Sequence, residues 1–225
     1  MKTALILLGL VSVTLARIAV RNQEKLAPKP CCFPKTMQIN FVGAKFHESI
    51  PLLFRQIGTY GIKYDKKLVA VQILDGKTRQ PLFKEVADFN TNVIYNISAD
   101  GSCVKSPNPD LMPPPCIPDG ATYDSTYTMG IGDNSIQANL WNHQYPKLNI
   151  EDAISLTKEC IPVQFQSNAK TANGKTYKAI SYVHAEIEIV DKDLFTIPDT
   201  CKSSNEEASF NVEDMPVPVF MLKGF

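Results

Sequence analysis

The residues best suited to catalysis are few in this chain, and their spacing matches none of the common catalytic motifs. There are three histidines, His47, His143 and His184, and the sequence contains neither a GxSxG nucleophile elbow nor an HExxH metal site. Hydrolysis by a triad needs a nucleophile, a base and an orienting group in contact. The sequence therefore predicts a protein that is not an enzyme. A hydrolase would be indicated only if His143 or His184 lay buried beside a carboxylate and a hydroxyl.

The tripeptide Gly-Lys-Thr occurs twice, at residues 76–78 and 174–176. A phosphate-binding P-loop also needs a glycine five residues before the first of these positions, so that backbone amides can surround the phosphate. Val71 and Ala169 stand there instead. Both tripeptides are predicted to be hairpin turns, and no nucleotide site is expected.

Cysteine is the residue type with the clearest chemical meaning here. The six cysteines are Cys31, Cys32, Cys103, Cys116, Cys160 and Cys201. There is no CxxC pair and no histidine close to any cysteine, so the spacing does not suit zinc, and the metal ligands, if any, stay unknown. An even number on a secreted chain predicts three disulfides, whose pairing the spacing leaves open. A bridge that closes a loop of about a hundred residues contributes roughly 4–5 kcal/mol.

The N-terminus has the features of a secretory leader. Lys2 supplies a positive charge, Ala4 to Val13 is apolar, and small residues precede a cleavage site expected after Ala16. The apolar run of about ten residues is half of what a bilayer span needs. The sequence predicts a signal peptide at residues 1–16, a single domain at 17–225, no transmembrane segment, and a secreted, extracellular protein.

The charge balance excludes one class of partner. The chain has 23 Lys and Arg and 23 Asp and Glu, without a basic cluster of the kind that binds a phosphate backbone. No nucleic acid partner is predicted.

Most of the chain has the alternating pattern of β-strands. Met37, Ile39 and Phe41 alternate with polar residues, and the pattern recurs at residues 69–73, 82–89, 123–129, 136–140, 160–166 and 178–190. The proline-rich stretch Ser106 to Asp119 is predicted to be a long loop. Leu148 to Lys158, with acidic residues near its start, is predicted to be a short helix. The C-terminal stretch from Ser203 is predicted to dock as an extended edge segment.

The tripeptide Asn96-Ile97-Ser98 is the N-glycosylation sequon of the chain. Val93, Tyr95 and Ile97 alternate with Asn96, so we expect Asn96 on a solvated face and carrying a glycan. No EF-hand loop is present, and calcium binding would need scattered carboxylates or acidic glycan groups.

An ordered set of segments resembles the ependymin-related secreted proteins across nearly the whole mature chain. The segments are Pro28 to Cys31, Tyr123 to Gly130 before a strand ending at Trp141, Lys158 to Gln164, and Phe195 to Cys201. The resemblance implies two antiparallel sheets that form a curved, half-open barrel around a deep apolar pocket, with one or two short helices and often a dimer.

The resemblance also implies how the cysteines pair. It implies the bridges Cys31–Cys160 and Cys103–Cys201, which leaves Cys32–Cys116. This last pair departs from the vertebrate pattern of the family, and Cys31 and Cys32 could exchange roles.

The function that follows is a carrier or sensor of lipid-like hydrophobic molecules, because an acyl chain gains roughly 0.8 kcal/mol per buried methylene. The candidate lining consists of Phe41, Val71, Tyr95, Tyr127, Met129 and Leu140. These residues could instead fill a closed core. The alternative function is a calcium-responsive extracellular matrix or cell-matrix adhesion glycoprotein, and no cofactor besides calcium is expected.

Overall fold

The computed structural model describes residues 27–48, 50–108, 112–171 and 174–203, without the side chains of 50–54, 171, 202 and 203. The predicted signal peptide and the C-terminal edge segment after Ser203 lie outside the described residues.

The described chain forms one antiparallel sheet of eleven strands in the spatial order β6-β5-β4-β3-β2-β1-β11-β10-β9-β8-β7. The strands are β1 (Thr36–His47), β2 (Ile50–Lys63), β3 (Leu68–Leu74), β4 (Pro81–Asp88), β5 (Val93–Ser98), β6 (Cys103–Pro107), β7 (Thr122–Met129), β8 (Ile136–Tyr145), β9 (Ile150–Leu156), β10 (Pro162–Thr171) and β11 (Gly174–Glu186). One short 3-10 helix, Gly132–Asn134, lies between β7 and β8; a second, Lys192–Phe195, and the helix α1, Thr200–Ser203, follow β11.

The mainly β, antiparallel prediction is confirmed, whereas the division into two sheets is wrong. Strand β1 pairs with β2 on one side and with β11 on the other. These two pairings join the N-terminal strands β1 to β6 with the C-terminal strands β7 to β11. The sheet is therefore continuous, and it does not close into a barrel because β6 and β7 lie at opposite edges.

One face of the sheet carries the main core and is called the core face. It bears Ile39, Val71, Trp141 and Phe165, which are at most 4% exposed. Phe33 and Ile117, from segments outside the sheet, are buried in the same cluster. The core face is thus covered by packed apolar side chains rather than forming the deep apolar pocket that the resemblance implies.

The opposite face, called the outer face, is covered over strands β3 to β6 by residues 192–203. Leu194 and Cys201 are fully buried there against Ala70 and Val86. The ammonium of Lys84 fixes this segment by donating hydrogen bonds to the carbonyl oxygens of Asp193 and Thr196 at 2.9 and 2.8 Å. These strands are consequently buried on both faces.

The three disulfides have the pairings that the resemblance implies, namely Cys31–Cys160, Cys32–Cys116 and Cys103–Cys201. The first two attach the N-terminal segment to the turn between β9 and β10 and to the proline-rich loop. The third attaches the segment 192–203 to β6.

The predicted helix at Leu148 to Lys158 is wrong, because strand β9 occupies Ile150–Leu156. Ile150, Asp152 and Ile154 are all buried on the core face, and β9 hydrogen bonds to β8 and β10 on its two sides. The two-residue period of these side chains fits a strand, and it outweighs the acidic residues that suggested a helix start.

Candidate functional site

A cavity of about 710 Å³ lies at one end of the sheet, where β1, β8 and β10 end and β9 and β11 begin. The antiparallel order brings together the end of β1, the β8–β9 turn and the β10–β11 turn, which are three separate parts of the sequence. The cavity is lined by residues 46–48, 144–146, 149–151, 168–170 and 175–177.

The lining combines apolar and polar groups. The rings of Phe46 and Tyr177 lie 6.2 Å apart between centroids, and Tyr145 and the buried Ile150 contribute further apolar surface. Lys170 is one of the exposed residues of the lining. An amphiphilic molecule matches such a surface better than a purely apolar one.

Five polar side chains lie in one row across the core face, directly beside the cavity lining. They are called the buried polar row and consist of register partners on β1, β11, β10, β9 and β8, in the order Lys45, Lys178, Ser167, Asp152 and His143. Asp152 and Ser167 are each 2% exposed and Lys178 is 8% exposed, whereas Lys45 and His143, at the two ends of the row, are half-buried. The neighbouring row, two residues along each strand, consists of cavity-lining residues: His47, Thr176, Ala169, Ile150 and Tyr145.

Asp152 is the carboxyl of the buried polar row, and it is almost fully buried. Its burial raises the pKa of the carboxyl to about 6, although the Ser167 hydroxyl and the Lys178 ammonium act in the opposite direction. Neither carboxylate oxygen has a partner within hydrogen-bonding geometry, so Ser167 and Lys178 influence it without a well-formed bond. Burial, and secondarily the Asp152 charge, raises the pKa of Tyr145 above its usual range.

The buried polar row contains the residue types of a hydrolase but not their required order. His143 lies beside Asp152, and Asp152 lies beside Ser167. In a triad the histidine stands between nucleophile and acid, whereas here the acid separates the other two. Ser167 also lies inside β10, paired with both neighbouring strands, where backbone amides serve the sheet rather than an oxyanion.

The other histidine considered for catalysis, His184, is exposed, and its Nε2 lies 2.9 Å from an Oε1 of Glu186. The described residues therefore give no support to the hydrolase hypothesis. That the protein is not an enzyme stays a prediction.

A second buried carboxyl lies on the core face away from the cavity. Glu85 on β4 is 4% exposed, and burial raises its pKa to about 8. Its register partner on β5 is Asn96, whose Nδ2 and Oδ1 are both buried without a hydrogen-bond partner. Asn96 therefore faces the interior, contrary to the expected solvated face. This geometry argues against a glycan on Nδ2, and occupancy of the sequon stays a prediction.

The six residues predicted to line a pocket are not brought together. Phe41 and Val71 are buried in the core. Tyr95 packs on the outer face against the second cluster. The register of β7 and β8 places Tyr127, Met129 and Leu140 on the outer face as well, with Met129 37% exposed.

The cavity residues were missed because no local motif identifies them. Their common signal is positional, since Phe46, Tyr145 and Tyr177 are aromatic residues near the ends of strands. Only the strand order shows that these ends meet.

Two further predictions concern calcium and membranes. Within the described ranges, no group of three or more His, Cys, Asp or Glu side chains is placed to hold a metal ion. Calcium binding therefore stays a prediction.

Among the residues described, the structure contains no helix with the length and hydrophobicity needed to span a membrane.

Comparison with known proteins agrees with the resemblance in the sequence. The model of the family described as Ependymin matches residues 77–201. "Mammalian ependymin-related protein 1" of Rattus norvegicus is 24% identical over 190 residues, which is 80% of each chain. The protein of the same name from Mus musculus is 23% identical over the same share.

Solved structures show weaker likeness. An uncharacterized conserved protein from Thermus thermophilus has a TM-score of 0.47 and 12% identity, covering 73% of this chain and 86% of that chain. A putative outer membrane lipoprotein-sorting protein domain from Vibrio parahaemolyticus has a TM-score of 0.34 and 3% identity, covering 71% and 88%. These scores support no argument about ligand. The family model, in contrast, covers more than half of the chain, and the protein belongs to the ependymin family.

Proposed function

We propose that this protein is a secreted carrier of lipid-like hydrophobic molecules, which bind in the cavity at the end of the sheet. The observation that carries the proposal is the cavity itself. Its volume of about 710 Å³ falls within the range of roughly 300–1,000 Å³ that is typical of small-molecule sites. Its aromatic and aliphatic lining provides the apolar contact that an acyl chain needs.

The free energy available from the cavity can be bounded. Burial of about eight methylenes would contribute roughly 6 kcal/mol, and association costs at least about 4 kcal/mol in lost freedom. The remaining free energy, roughly 2 kcal/mol, is much smaller than the roughly 8 kcal/mol of a micromolar complex. Tight binding therefore requires polar contacts with the head of the ligand in addition to the apolar contact.

Secretion is supported by the disulfides. All six cysteines are paired, and such bridges form and persist in oxidising compartments. The proposal treats residues 17–225 as one secreted domain, and a homodimer stays a prediction.

The test is native mass spectrometry of the protein secreted from cultured cells, followed by extraction and identification of bound lipid. Ala169→Trp fills the cavity, whereas Thr128→Trp, at an exposed position of edge strand β7, is the matched control. We expect about one lipid per chain in the wild type and in the control, and loss of lipid in Ala169→Trp. Equal lipid in all three proteins, or none in the wild type, would refute the proposal. Calcium-dependent association without lipid would support the matrix-protein alternative.

A further inference from the structure

We propose that the ligand of this cavity is an uncharged amphiphile whose head carries neighbouring hydroxyl groups, such as a glycerol or sugar ester, and that Asp152 and Lys178 bind this head. The inference rests on the proposed function and adds the chemical class of the head group.

Asp152 lies next to the cavity lining, farther along β9. Ile150 lines the cavity, and Asp152 follows it two residues later on the same face of β9. Two residues along a strand correspond to about 7 Å. Tyr145, another lining residue, is close enough to Asp152 for the carboxylate to affect its pKa. Asp152 does not itself line the cavity, and a head group that inserted past Ile150 and Tyr145 would reach its carboxylate.

The Asp152 carboxylate receives no hydrogen bond from the part of the chain that the structure describes. The residue is only 2% exposed, and neither of its buried carboxylate oxygens has a hydrogen-bond partner among those residues. A buried polar group in this state costs about 1–3 kcal/mol, and more when it is charged. Hydroxyl groups of a ligand would supply the missing donors and remove this cost.

The charges of Asp152 and the two lysines distinguish the possible classes of head group. A carboxylate head could accept from Lys178, but it would leave Asp152 without a donor and place a second negative charge beside it. An ammonium head could donate to Asp152, but it would stand close to the ammonium groups of Lys178 and Lys45, which are adjacent register partners in the buried polar row. A hydroxylated, uncharged head avoids both repulsions, because a hydroxyl donates to Asp152 and accepts from Lys178. His143 and Ser167, also in the row, can take either role with such a head.

The experiment compares four probes that share a palmitoyl-length chain: 1-monopalmitoylglycerol, palmitic acid, hexadecylamine and methyl palmitate. Each is titrated below its aggregation concentration into delipidated wild-type protein, with affinity measured by calorimetry. We expect 1-monopalmitoylglycerol to bind at least about tenfold tighter than the other three, since a hydrogen bond to a charged group is worth about 1.5–3 kcal/mol.

Variants identify the group responsible. Asp152→Ala should weaken binding of 1-monopalmitoylglycerol about tenfold and leave methyl palmitate unchanged. Glu85→Gln is the matched control, because Glu85 is also a buried carboxyl on the core face but does not line or adjoin the cavity. It should change neither probe. Asp152→Asn keeps the shape of the side chain and should weaken the glycerol ester by a smaller factor, which serves as the test if Asp152→Ala does not fold.

The outcomes separate the two proposals. If no probe binds the wild type, the carrier function itself fails. If the probes bind but palmitic acid or hexadecylamine is preferred, or if both Asp152 variants bind the glycerol ester as tightly as the wild type, the head-group inference fails while the carrier function stands. A loss of binding in Glu85→Gln equal to that in Asp152→Ala would place the head elsewhere on the core face and also overturn the inference.

Discussion

Replacing Glu85 by glutamine should remove a large part of the alkaline destabilisation of this protein. Glu85 lies on β4 in the interior, and burial raises its pKa from the ordinary 4.5 to about 8. The folded protein therefore binds the Glu85 proton more tightly than the unfolded chain does. By linkage, its contribution to stability is fully present below pH 4.5 and is lost as pH rises to about 8.

The magnitude follows from the size of the shift. One pKa unit corresponds to about 1.4 kcal/mol, so the whole shift amounts to roughly 5 kcal/mol. Asp152, whose pKa is raised to about 6, loses its own contribution at lower pH. Between pH 6.5 and 9, Glu85 should account for a fall of about 2 kcal/mol in the free energy of unfolding. Glutamine resembles the protonated carboxyl and should abolish that fall.

The assay is urea denaturation of both proteins with intact disulfides, followed by Trp141 fluorescence at pH 6.5 and pH 9. Wild type and Glu85→Gln should differ by more at pH 9 than at pH 6.5, with the variant the more stable at pH 9. Parallel losses of stability in the two proteins would show that the Glu85 carboxyl is solvated or paired in solution, and the reasoning from burial would be refuted.

Three further predictions concern the stability of the fold. Replacing both Cys103 and Cys201 by serine releases a bridge across 98 residues and should cost about 4–5 kcal/mol in urea denaturation; a loss below about 1 kcal/mol would contradict the loop-entropy argument. Gly58→Ala would place the new Cβ 2.2 Å from a backbone oxygen of β3, so the melting temperature of this variant should fall by several degrees. Gly76→Ala is the control, because the space around its Cβ is open, and this variant should melt like the wild type. Phe165→Ala removes a fully buried ring and should lower the free energy of unfolding by about 3–5 kcal/mol. A loss below about 1 kcal/mol would contradict the tight packing of this part of the core.

Strands with one buried face could be predicted from the sequence, because their apolar and polar side chains alternate. In β1 the prediction and the structure agree for Met37, Ile39 and Phe41. Strand β5 shows where the pattern fails. Ile94 is buried on the core face and Ile97 on the outer face, so alternation could not show that Asn96 points inward.

The location of the cavity could not be predicted for a different reason. Its lining comes from strand ends that meet only in the folded sheet, and each end contributes three consecutive residues without a distinctive motif. The pairing of β1 with β11 sets this arrangement. Residues 45 and 178 are adjacent because of that pairing, and nothing in the sequence around either lysine indicates the other.

Of the two buried carboxyls that the described residues place on the core face, only Asp152 stands to gain a large free energy from a ligand. Glu85 and Asp152 are both almost fully buried, and burial raises the pKa of each. Glu85 has uncharged register partners, Val71 and Asn96, and its raised pKa keeps it protonated and uncharged at neutral pH. Asp152 stays mostly ionised at that pH, with unpartnered oxygens beside a cavity. A buried ionised carboxylate costs far more than a neutral one, so Asp152 has the larger free energy to gain from a bound head group.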